Sequence, residues 1–264
     1  MKNHMNNVNK TLYIPLYGKA YVSKRNLFLH DTWAEQIWEA EQFPLKGKSK
    51  SKYLAYYMGI RSAVFDEWVK ARLSEYDDAI VIHIGCGMDS RAYRIGDGKH
   101  VWYDVDFPEV IAERKRYFQE NPCYHMLSGD ARTPLWLSQI TQKQRAIVVM
   151  EGVSMYMTTQ ELQAALAEIC KNFVHVSLLT DCYSTVAAKM SRYKNPINDV
   201  GVTTVYGIED PLVLQTDILC FVKEHDMTPK HYADSLHGME KHIFKHVYAG
   251  SFAKKLYRLY EYEK

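Results

Sequence analysis

Runs of apolar residues alternate with amphipathic stretches along this chain, and the alternation predicts strands separated by helices. Five mainly apolar runs of strand length come first, and two later stretches alternate apolar and polar residues, as antiparallel strands do. The predicted strands are Ala79–Ile84, His100–Tyr103, Cys123–Leu127, Arg145–Met150, Val174–Asp181, Asp217–Glu224 and Leu256–Tyr262. This order of elements indicates an α/β protein with a mainly parallel sheet.

Helix-spaced apolar residues occupy the segments between these strands. Helix starts are expected where a capping residue or a proline precedes such a pattern. The predicted helical segments are one capped by Asp31-Thr32, one from Leu54 to Leu73, one from Pro108 to Asn121-Pro122, a short one over Trp136–Ile140, one capped by Thr158-Thr159, and one over Tyr232–Val247. We interpret residues 1–75 as a helical cap that is not an independent domain, residues 76–264 as the main domain, and residues 184–210 as an irregular insertion covering a substrate.

A glycine turn follows the first predicted strand, with Gly85 and Gly87 two residues apart. Because glycine lacks a Cβ, the backbone can turn sharply there, and Asp89-Ser90 can cap a helix that begins near Arg91. The next strand leads into Asp104 and Asp106 about 20 residues later, where a βαβ unit places an acid beside a ribose. These features predict a nucleoside-binding crossover.

The turn departs from the dinucleotide-binding fingerprint, because Ser90 stands where the third glycine would be. That glycine permits close helix packing beside a pyrophosphate at a helix N-terminus. The substitution argues against NAD or FAD and therefore against a nucleotide-dependent oxidoreductase. S-adenosylmethionine has a ribose but no phosphate, and it needs the same close backbone approach and the same acid.

Acidic residues also close the third and fourth predicted strands. Asp130 lies in the loop Ser128–Ala131, and Glu151 directly follows the fourth strand. In an open α/β sheet the ligand lies outside the carboxyl ends of the strands, so these acids should converge on the crevice beside the glycine turn. A carboxylate there can accept charge-assisted hydrogen bonds from ribose hydroxyls, and Asp130 can read the adenine amino group.

Composition and charge narrow the class of protein. Of 264 residues, 47% are hydrophobic and 24% charged, and the formal net charge is +2, which gives no strong field for nucleic acid or an anionic membrane. Residues 1–10 are polar and no apolar run approaches the ~18 residues of a membrane span, so we expect a cytoplasmic protein with neither membrane nor nucleic-acid partners. The segment Asn195–Asn198 lacks the second proline and the aromatic residue that would stack a flipped base.

The cysteines and histidines indicate neither a disulfide framework nor a metal site. Five scattered cysteines form no Cys-x-x-Cys pair, which is typical of small hydrophobic residues in a reducing compartment. His242 and His246 share a helix face, but the glutamate of the His-Glu-x-x-His motif is absent. We therefore predict no metal.

Several segments together resemble the leucine carboxyl methyltransferase family, and most closely its bacterial branch of tetracenomycin-type polyketide O-methyltransferases. The segments that carry the resemblance are Ile82–Arg91, Trp102–Pro108, Ser128–Ala131 and Met150–Met157, with Tyr17–Lys19 and Arg61–Asp66 before them. Their order and spacing match the family across about residues 17–183. The resemblance implies the class I methyltransferase fold, a Rossmann-like, seven-stranded, mostly parallel sheet with its last strand antiparallel, and S-adenosylmethionine as cofactor.

The resemblance also implies roles for individual residues, including two cations whose sequence pattern alone favours a solvated surface position. In the implied arrangement, Lys19 and Arg61 hold the methionine carboxylate, and Glu151 holds the amino group beside the sulfonium. Gly85 and Gly87 line the methionine and ribose side, and Asp106 or Asp104 holds the ribose. Asp130 with Ala131 holds the adenine. All of these are expectations about cofactor binding.

The methyl acceptor stays open at the level of sequence. A carboxylate acceptor is already ionised and needs no base, whereas a phenol with a pKa of about 10 needs a base or a cation beside it. The residues near predicted strand ends that can orient an acceptor are Arg91, Tyr156, His175 and Tyr183, and none is assigned a catalytic role. We expect O-methylation of a small molecule, with a protein C-terminal carboxyl methyltransferase or a non-catalytic cofactor-binding protein as alternatives.

Overall fold

A computed structural model describes residues 11–41, 43, 45, 47–194 and 204–264. Within these residues seven strands form one sheet in the order β3-β2-β1-β4-β5-β7-β6. The strands are β1 (Ala79–Ile84), β2 (Val101–Asp106), β3 (Tyr124–Ser128), β4 (Arg145–Met150), β5 (His175–Tyr183), β6 (Cys220–His225) and β7 (Tyr257–Glu263). The first five strands are parallel, and β7 runs antiparallel to both β5 and β6. The expected sheet is confirmed.

Helices cover both faces of this sheet. They are α1 (Tyr13–Ser23), α2 (Thr32–Glu41), α3 (Lys52–Glu75), α4 (Arg91–Ile95), α5 (Pro108–Arg114), α6 (Thr159–Asn172), α7 (Thr185–Lys194), α8 (Lys230–Ser235), α9 (Gly238–Ile243) and α10 (Ser251–Leu256). None of the helices in the described part of the chain has a stretch long and apolar enough to cross a bilayer.

The central strand β1 is buried along its whole length, which explains its uninterrupted apolar sequence. Val81 points into the core formed with the N-terminal helices, where it joins Val64 and Trp68 of α3. Ile82 points to the opposite core, which includes Leu166 of α6. The alternation of side chains along a strand therefore joins the first 75 residues to the main domain through a shared core.

Helix boundaries agree with the sequence where side-chain caps mark them. Asp31 accepts a hydrogen bond from the Ala34 N–H at 2.9 Å, and Thr158 forms a capping box with Glu161 at the start of α6. The expected cap at Asp89-Ser90 is wrong, because neither side chain bonds the N–H groups of α4.

Other helical predictions need correction. The helix that begins at Pro108 ends at Arg114 rather than reaching Asn121, and Trp136–Ile140 is a short 3₁₀ turn over Leu135–Gln139. The helix predicted over Tyr232–Val247 is broken, because Leu236 and His237 are extended between α8 and α9, and Gly238, with a φ of +54°, begins α9. The predicted irregular insertion begins with the regular helix α7. The segment Asn195–Asn198 lies outside the described residues.

The cysteine thiols are all free. Cys86, Cys170 and Cys182 are buried, as expected of small hydrophobic residues, whereas Cys123 is half-buried. Cys220 departs from that expectation, because it is exposed on the edge strand β6.

Candidate functional site

A cavity of about 1010 Å³ opens at the carboxyl ends of the central parallel strands. Eight of the nine residues predicted to bind a cofactor line its wall. They are Lys19, Arg61, Gly85, Gly87, Asp106, Asp130, Ala131 and Glu151. The structure thus brings together residues that were singled out from separate strand ends.

The glycine turn forms the floor of this cavity. Gly85 has a φ of +66° and Gly87 a φ of +50°, a region that side chains other than glycine adopt with strain. A Cβ on Gly85 would lie 2.2 Å from the Cγ2 of Val153, which is closer than any real contact. The Gly85 N–H donates to the Val105 carbonyl at 2.8 Å, so the turn is fixed against the end of β2.

Asp106, the last residue of β2, holds the other side of the turn. Its carboxylate accepts hydrogen bonds from the backbone N–H groups of Gly87 and Phe107, both at 2.7 Å. Burial raises the pKa of Asp106, and these two hydrogen bonds oppose the rise. A carboxylate on the cavity wall with two amide donors is well placed to accept further hydrogen bonds from hydroxyl groups.

Asp104 is the one predicted cofactor-binding residue that does not line the cavity. It is fully buried and does not line the cavity. Its carboxylate accepts hydrogen bonds from Arg114 and from the Tyr124 hydroxyl, the latter at 2.8 Å. Burial opposes its ionisation, but Arg114 and the other partners keep the pKa of Asp104 below its usual value. Of the two acids left open by the sequence, only Asp106 is in position to meet a ligand.

Lys19 is buried rather than solvated. Its side chain is 3% exposed, and its Nζ lies 2.8 Å from the carboxylate of Asp89. Burial alone would raise the pKa of Asp89, but Lys19, Arg91 and Arg94 together hold it well below its usual range. Asp89 therefore serves as an ionised partner for cations and not as the helix cap expected from the sequence.

Arg61 is held by acids from two strands. Its Nε donates to Glu151 at 3.0 Å, and its Nη1 donates to Asp181 at 3.1 Å and to the Tyr257 hydroxyl at 2.7 Å. Burial opposes the ionisation of Glu151, but Arg61 and Arg91 lower its pKa to about 2. Cations and carboxylates therefore lie side by side at this end of the cavity.

Asp130 and Ala131 lie at the other end of the row of strand termini, after β3. The Asp130 carboxylate accepts hydrogen bonds from Nε of Arg132 at 3.0 Å and from Nη2 at 2.6 Å. Trp136 packs against the preceding Gly129, where an added Cβ would lie 2.3 Å from the indole Cδ1. This packing fixes the loop that carries Asp130.

The family comparison decides what kind of protein has this cavity. The family model described as Leucine carboxyl methyltransferase matches residues 17–170, more than half of the chain. The chain belongs to the leucine carboxyl methyltransferase family. It is therefore a methyltransferase.

Two curated relatives of this methyltransferase support the same assignment. The Tetracenomycin polyketide synthesis O-methyltransferase TcmP of Streptomyces glaucescens is 25% identical over 240 residues, which cover 89% of each chain. The S-adenosyl-L-methionine-dependent methyltransferase dpfgK of Gibberella zeae is 24% identical over 234 residues, which cover 79% of this chain and 78% of the relative.

Solved structures share the fold. A SAM-dependent methyltransferase from Anabaena variabilis matches with a TM-score of 0.55 at 11% identity, covering 88% of this chain and 93% of the other. Magnesium protoporphyrin IX methyltransferase from Synechocystis, solved with bound SAH, matches with a TM-score of 0.52 at 12% identity, covering 89% and 94%. The class I methyltransferase fold expected from the sequence is thereby confirmed.

Two of the four residues predicted to orient the acceptor lie away from the cavity of this methyltransferase. Arg91 is fully buried outside the cavity wall, where its Nε donates to Asp66 at 2.7 Å and its Nη2 donates to Glu151. His175 begins β5 and so lies at the end of the sheet opposite the cavity. Tyr156 and Tyr183 do line the cavity.

A further region of the cavity wall is mainly apolar and aromatic. The ring of Tyr257 packs edge-on against Tyr183 with centroids 4.7 Å apart and stacks on Tyr57 at 6.1 Å. Burial raises the pKa of Tyr156, so its phenol stays protonated at neutral pH. Other residues of this region are Pro15, Leu54, Met58, Met155, Met157, Ala187, Met190, Val247 and Leu256.

Asp181 and Tyr257 are functional-site residues that the sequence reading missed. Asp181 is fully buried on β5 and holds both Arg61 and the Gly152 N–H, the latter at 2.7 Å. A carboxylate near the carboxyl end of a predicted strand was the available signal, since it repeats the pattern of Asp106 and Glu151. Tyr257 carried no comparable signal, because its place beside Asp181 depends on the antiparallel pairing of β7 with β5.

Proposed function

We propose that this methyltransferase transfers a methyl group to a carboxyl or hydroxyl oxygen of a small, largely apolar molecule, such as a polyketide-like secondary metabolite. The methyl donor is S-adenosylmethionine. The observation that carries the proposal is that one cavity contains both the glycine turn with Asp106 and the apolar region around Tyr156 and Tyr183. Its volume of about 1010 Å³ lies at the upper end of the ~300–1,000 Å³ typical of ligand pockets, which leaves room for donor and acceptor together.

The chemistry of the wall fits the donor from end to end. The missing Cβ at Gly85 makes room for the side chain of Val153, and the backbone of the glycine turn itself forms the wall that a ligand meets. Asp106 offers a carboxylate to ribose hydroxyls. Lys19 and Arg61 beside Glu151 and Asp89 complement a zwitterionic amino acid, because both signs of charge are present within one cluster.

We accordingly assign each wall residue a role toward S-adenosylmethionine. The cations would hold the methionine carboxylate, Glu151 the amino group, Asp106 the ribose, and the loop after β3 the adenine. The assigned residues are Lys19, Arg61, Gly85, Gly87, Asp106, Asp130, Ala131 and Glu151. We withdraw Asp104 from this set because it lies behind the wall.

S-adenosylmethionine supplies an activated methyl group on a sulfonium, and its departure requires no proton. The work left to the protein is to hold the acceptor oxygen in line with that methyl group, an effect worth up to about 7–11 kcal/mol. Met155, Met157 and Met190 contribute apolar side chains to the wall beside this contact. Tyr156 and Tyr183 present hydroxyl groups that can orient the acceptor oxygen by hydrogen bonds.

We propose that two segments close over the bound donor and acceptor. Helices α1 and α3 of the cap contribute Lys19 and Arg61, and helix α7 contributes Ala187, Met190 and Ser191. For the described residues of both segments, this supports the interpretation of residues 1–75 as a dependent cap and of residues 184–210 as a covering insertion. The free, mostly buried cysteines fit a reducing compartment, and we propose a cytoplasmic location.

A labelled-methyl transfer screen tests the proposed function. The purified protein is incubated with S-adenosylmethionine labelled in the methyl group and with three panels: apolar carboxylic acids, phenols, and peptides with a free C-terminal carboxylate. We expect label in a small-molecule panel, and cleavage of the product by mild base then distinguishes an ester from an ether. Transfer to the peptides alone would favour the protein carboxyl methyltransferase, and cofactor binding with no transfer to any panel would favour the non-catalytic alternative.

A further inference from the structure

Asp181 lies directly behind the cavity wall. It is fully buried on β5, and its carboxylate accepts hydrogen bonds from Gly152 N–H, Arg61 Nη1 and the Tyr257 hydroxyl. Arg61 and Tyr257 both line the cavity, whereas Asp181 does not. Its charge therefore acts on the cavity through a single layer of side chains.

Asp181 belongs to a continuous network of buried ion pairs. Each member lies within 4 Å of at least one member of opposite charge. The cations are Lys19, Arg61, Arg91 and Arg94, and the carboxylates are Asp31, Asp66, Asp89, Glu151 and Asp181. Five carboxylates thus face four cations, and in the part of the chain that the structure describes this network carries one excess negative charge.

With histidines counted as neutral, the nearby formal charges of the described residues outside the network do not cancel this excess. Asp104 is paired with Arg114 and Asp130 with Arg132. On the cavity wall itself Asp106 and Lys48 carry opposite charges. Among the described residues, the walls around the methionine end of the cavity therefore remain short of one positive formal charge.

Of the three network carboxylates that line the cavity or contact its wall, Asp181 pairs with one cation, Arg61, whereas Glu151 pairs with two cations and Asp89 with three. Burial raises the pKa of Asp181 by more than Arg61 and the Tyr257 hydroxyl lower it. Glu151 and Asp89, in the same network, keep pKa values below their usual range. Of these three carboxylates beside the cavity, Asp181 is thus the one whose negative charge has the fewest cationic partners.

We infer that Asp181 makes this cavity favour S-adenosylmethionine over S-adenosylhomocysteine, the product left after methyl transfer. The inference rests on the proposed function. S-adenosylmethionine carries a carboxylate, an ammonium and a sulfonium group and so has a net charge of +1, whereas the product has lost the sulfonium charge and is neutral overall. Only the donor neutralises the excess charge of the wall. We expect a preference of about tenfold, the size expected for one partly buried charge interaction. The product is released more readily for the same reason.

Calorimetry on the unmodified protein tests the inference first. The dissociation constants are measured for S-adenosylmethionine, for S-adenosylhomocysteine and for sinefungin, which has a cationic amine in place of the sulfonium. We expect the two cationic ligands to bind about tenfold more tightly than the neutral one. Binding of S-adenosylhomocysteine as tight as that of both cationic ligands would overturn the inference and leave the proposed function intact. If none of the three ligands binds, the proposed function fails instead.

Three variants test whether the preference for S-adenosylmethionine depends on the charge of Asp181. Asp181→Asn removes the charge and should bring the ratio of the two affinities close to one by weakening S-adenosylmethionine binding alone. Tyr257→Phe removes a hydrogen bond to Asp181 but keeps the charge, so the ratio should persist. Glu261→Gln is the matched control, because Glu261 is a fully buried carboxylate on β7 that pairs with Arg72 away from the cavity. An unchanged ratio in Asp181→Asn contradicts the inference, and if that variant does not fold, the three-ligand comparison on the unmodified protein decides.

Discussion

The carboxylate of Asp106 accepts a hydrogen bond from the backbone N–H of Gly87 at 2.7 Å. This contact joins the end of β2 to the turn that follows β1, so the acid and the glycines form one unit. The N–H groups of Gly87 and Phe107 fix the orientation of the carboxylate at the cavity wall. In the proposed function this orientation prepares the carboxylate for the ribose before any ligand arrives.

Substitution of the two neighbouring acids of β2 should have opposite consequences. Asp106→Asn should weaken S-adenosylhomocysteine binding about tenfold or more, since charge-assisted hydrogen bonds contribute about 1.5–3 kcal/mol each, with little effect on stability. Asp104→Asn should instead lower the free energy of unfolding by about 3–5 kcal/mol, because it leaves Arg114 buried without its charged partner. Calorimetry and urea unfolding measure the two effects, and unchanged affinity in Asp106→Asn would mean that the ribose lies elsewhere.

The contrast between these two acids shows where sequence reasoning ends. Asp104 and Asp106 are two residues apart on one strand, so both point to the same face and the period of the strand cannot distinguish them. The distinction comes from Arg114 on α5, which takes up Asp104, and from the strand end, which leaves Asp106 at the cavity. Such contacts between elements are not visible in a local pattern.

Alanine substitutions at Gly85 and Gly98, which have similar φ values, should distinguish the cost of a strained backbone from the cost of a steric clash. Gly85 and Gly98 have φ values of +66° and +70°, but an added Cβ would meet Val153 at 2.2 Å in the first case and nothing within 4 Å in the second. Gly98→Ala should cost about 1–2 kcal/mol of stability and leave ligand binding unchanged.

Gly85→Ala should cost more stability than Gly98→Ala and should abolish or strongly weaken S-adenosylhomocysteine binding, because the turn must move. Thermal unfolding and calorimetry on both variants measure these effects. Equal behaviour of the two variants would show that the turn tolerates a side chain and that its close packing has no functional role.

The parts of the fold that local chemistry specifies were predictable. The bounds of β1 and β4 match the apolar runs because central parallel strands are buried on both faces. The capping box of Thr158 and Glu161 starts α6 at the expected residue. By contrast, Asp181 and Tyr257 are brought together by strand pairing between distant parts of the chain.

The stability of the protein should depend on pH through Glu151. Its pKa of about 2 in the folded protein lies below its usual value of 4.5, so it contributes stability that is fully present above about pH 4.5 and lost as the pH falls toward 2. Glu151→Gln should destabilise the protein at neutral pH, because Arg61 and Arg91 lose a partner, and should reduce the slope of stability in this acid range.

Urea unfolding at several pH values between 2 and 7 measures the contribution of Glu151. Glu168→Gln is the control, because Glu168 forms only an exposed pair with Lys171 on α6 besides contacts with Asn172. If Glu151→Gln keeps the full acid dependence of the unmodified protein, the pairing of Glu151 with the two arginines does not stabilise the fold.

Two neighbouring positions on α7 should differ in their effect on the acceptor. Met190 and Val186 are both about half exposed, but only Met190 lines the cavity. Met190→Ala should raise the KM for the acceptor several-fold while the affinity for S-adenosylmethionine stays unchanged, since an apolar contact of this size contributes about 1–3 kcal/mol. Val186→Ala should change neither quantity in steady-state assays, and equal effects of the two substitutions would place the acceptor outside this region.

A crystal structure of the protein with S-adenosylhomocysteine tests the central claim most directly. We predict that the ribose hydroxyls lie within hydrogen-bond distance of the Asp106 carboxylate, that the adenine lies beside Asp130 and Ala131, and that the amino-acid end lies among Lys19, Arg61 and Glu151. A ligand seated away from the glycine turn, or with its ribose bonded to other residues, would contradict the account.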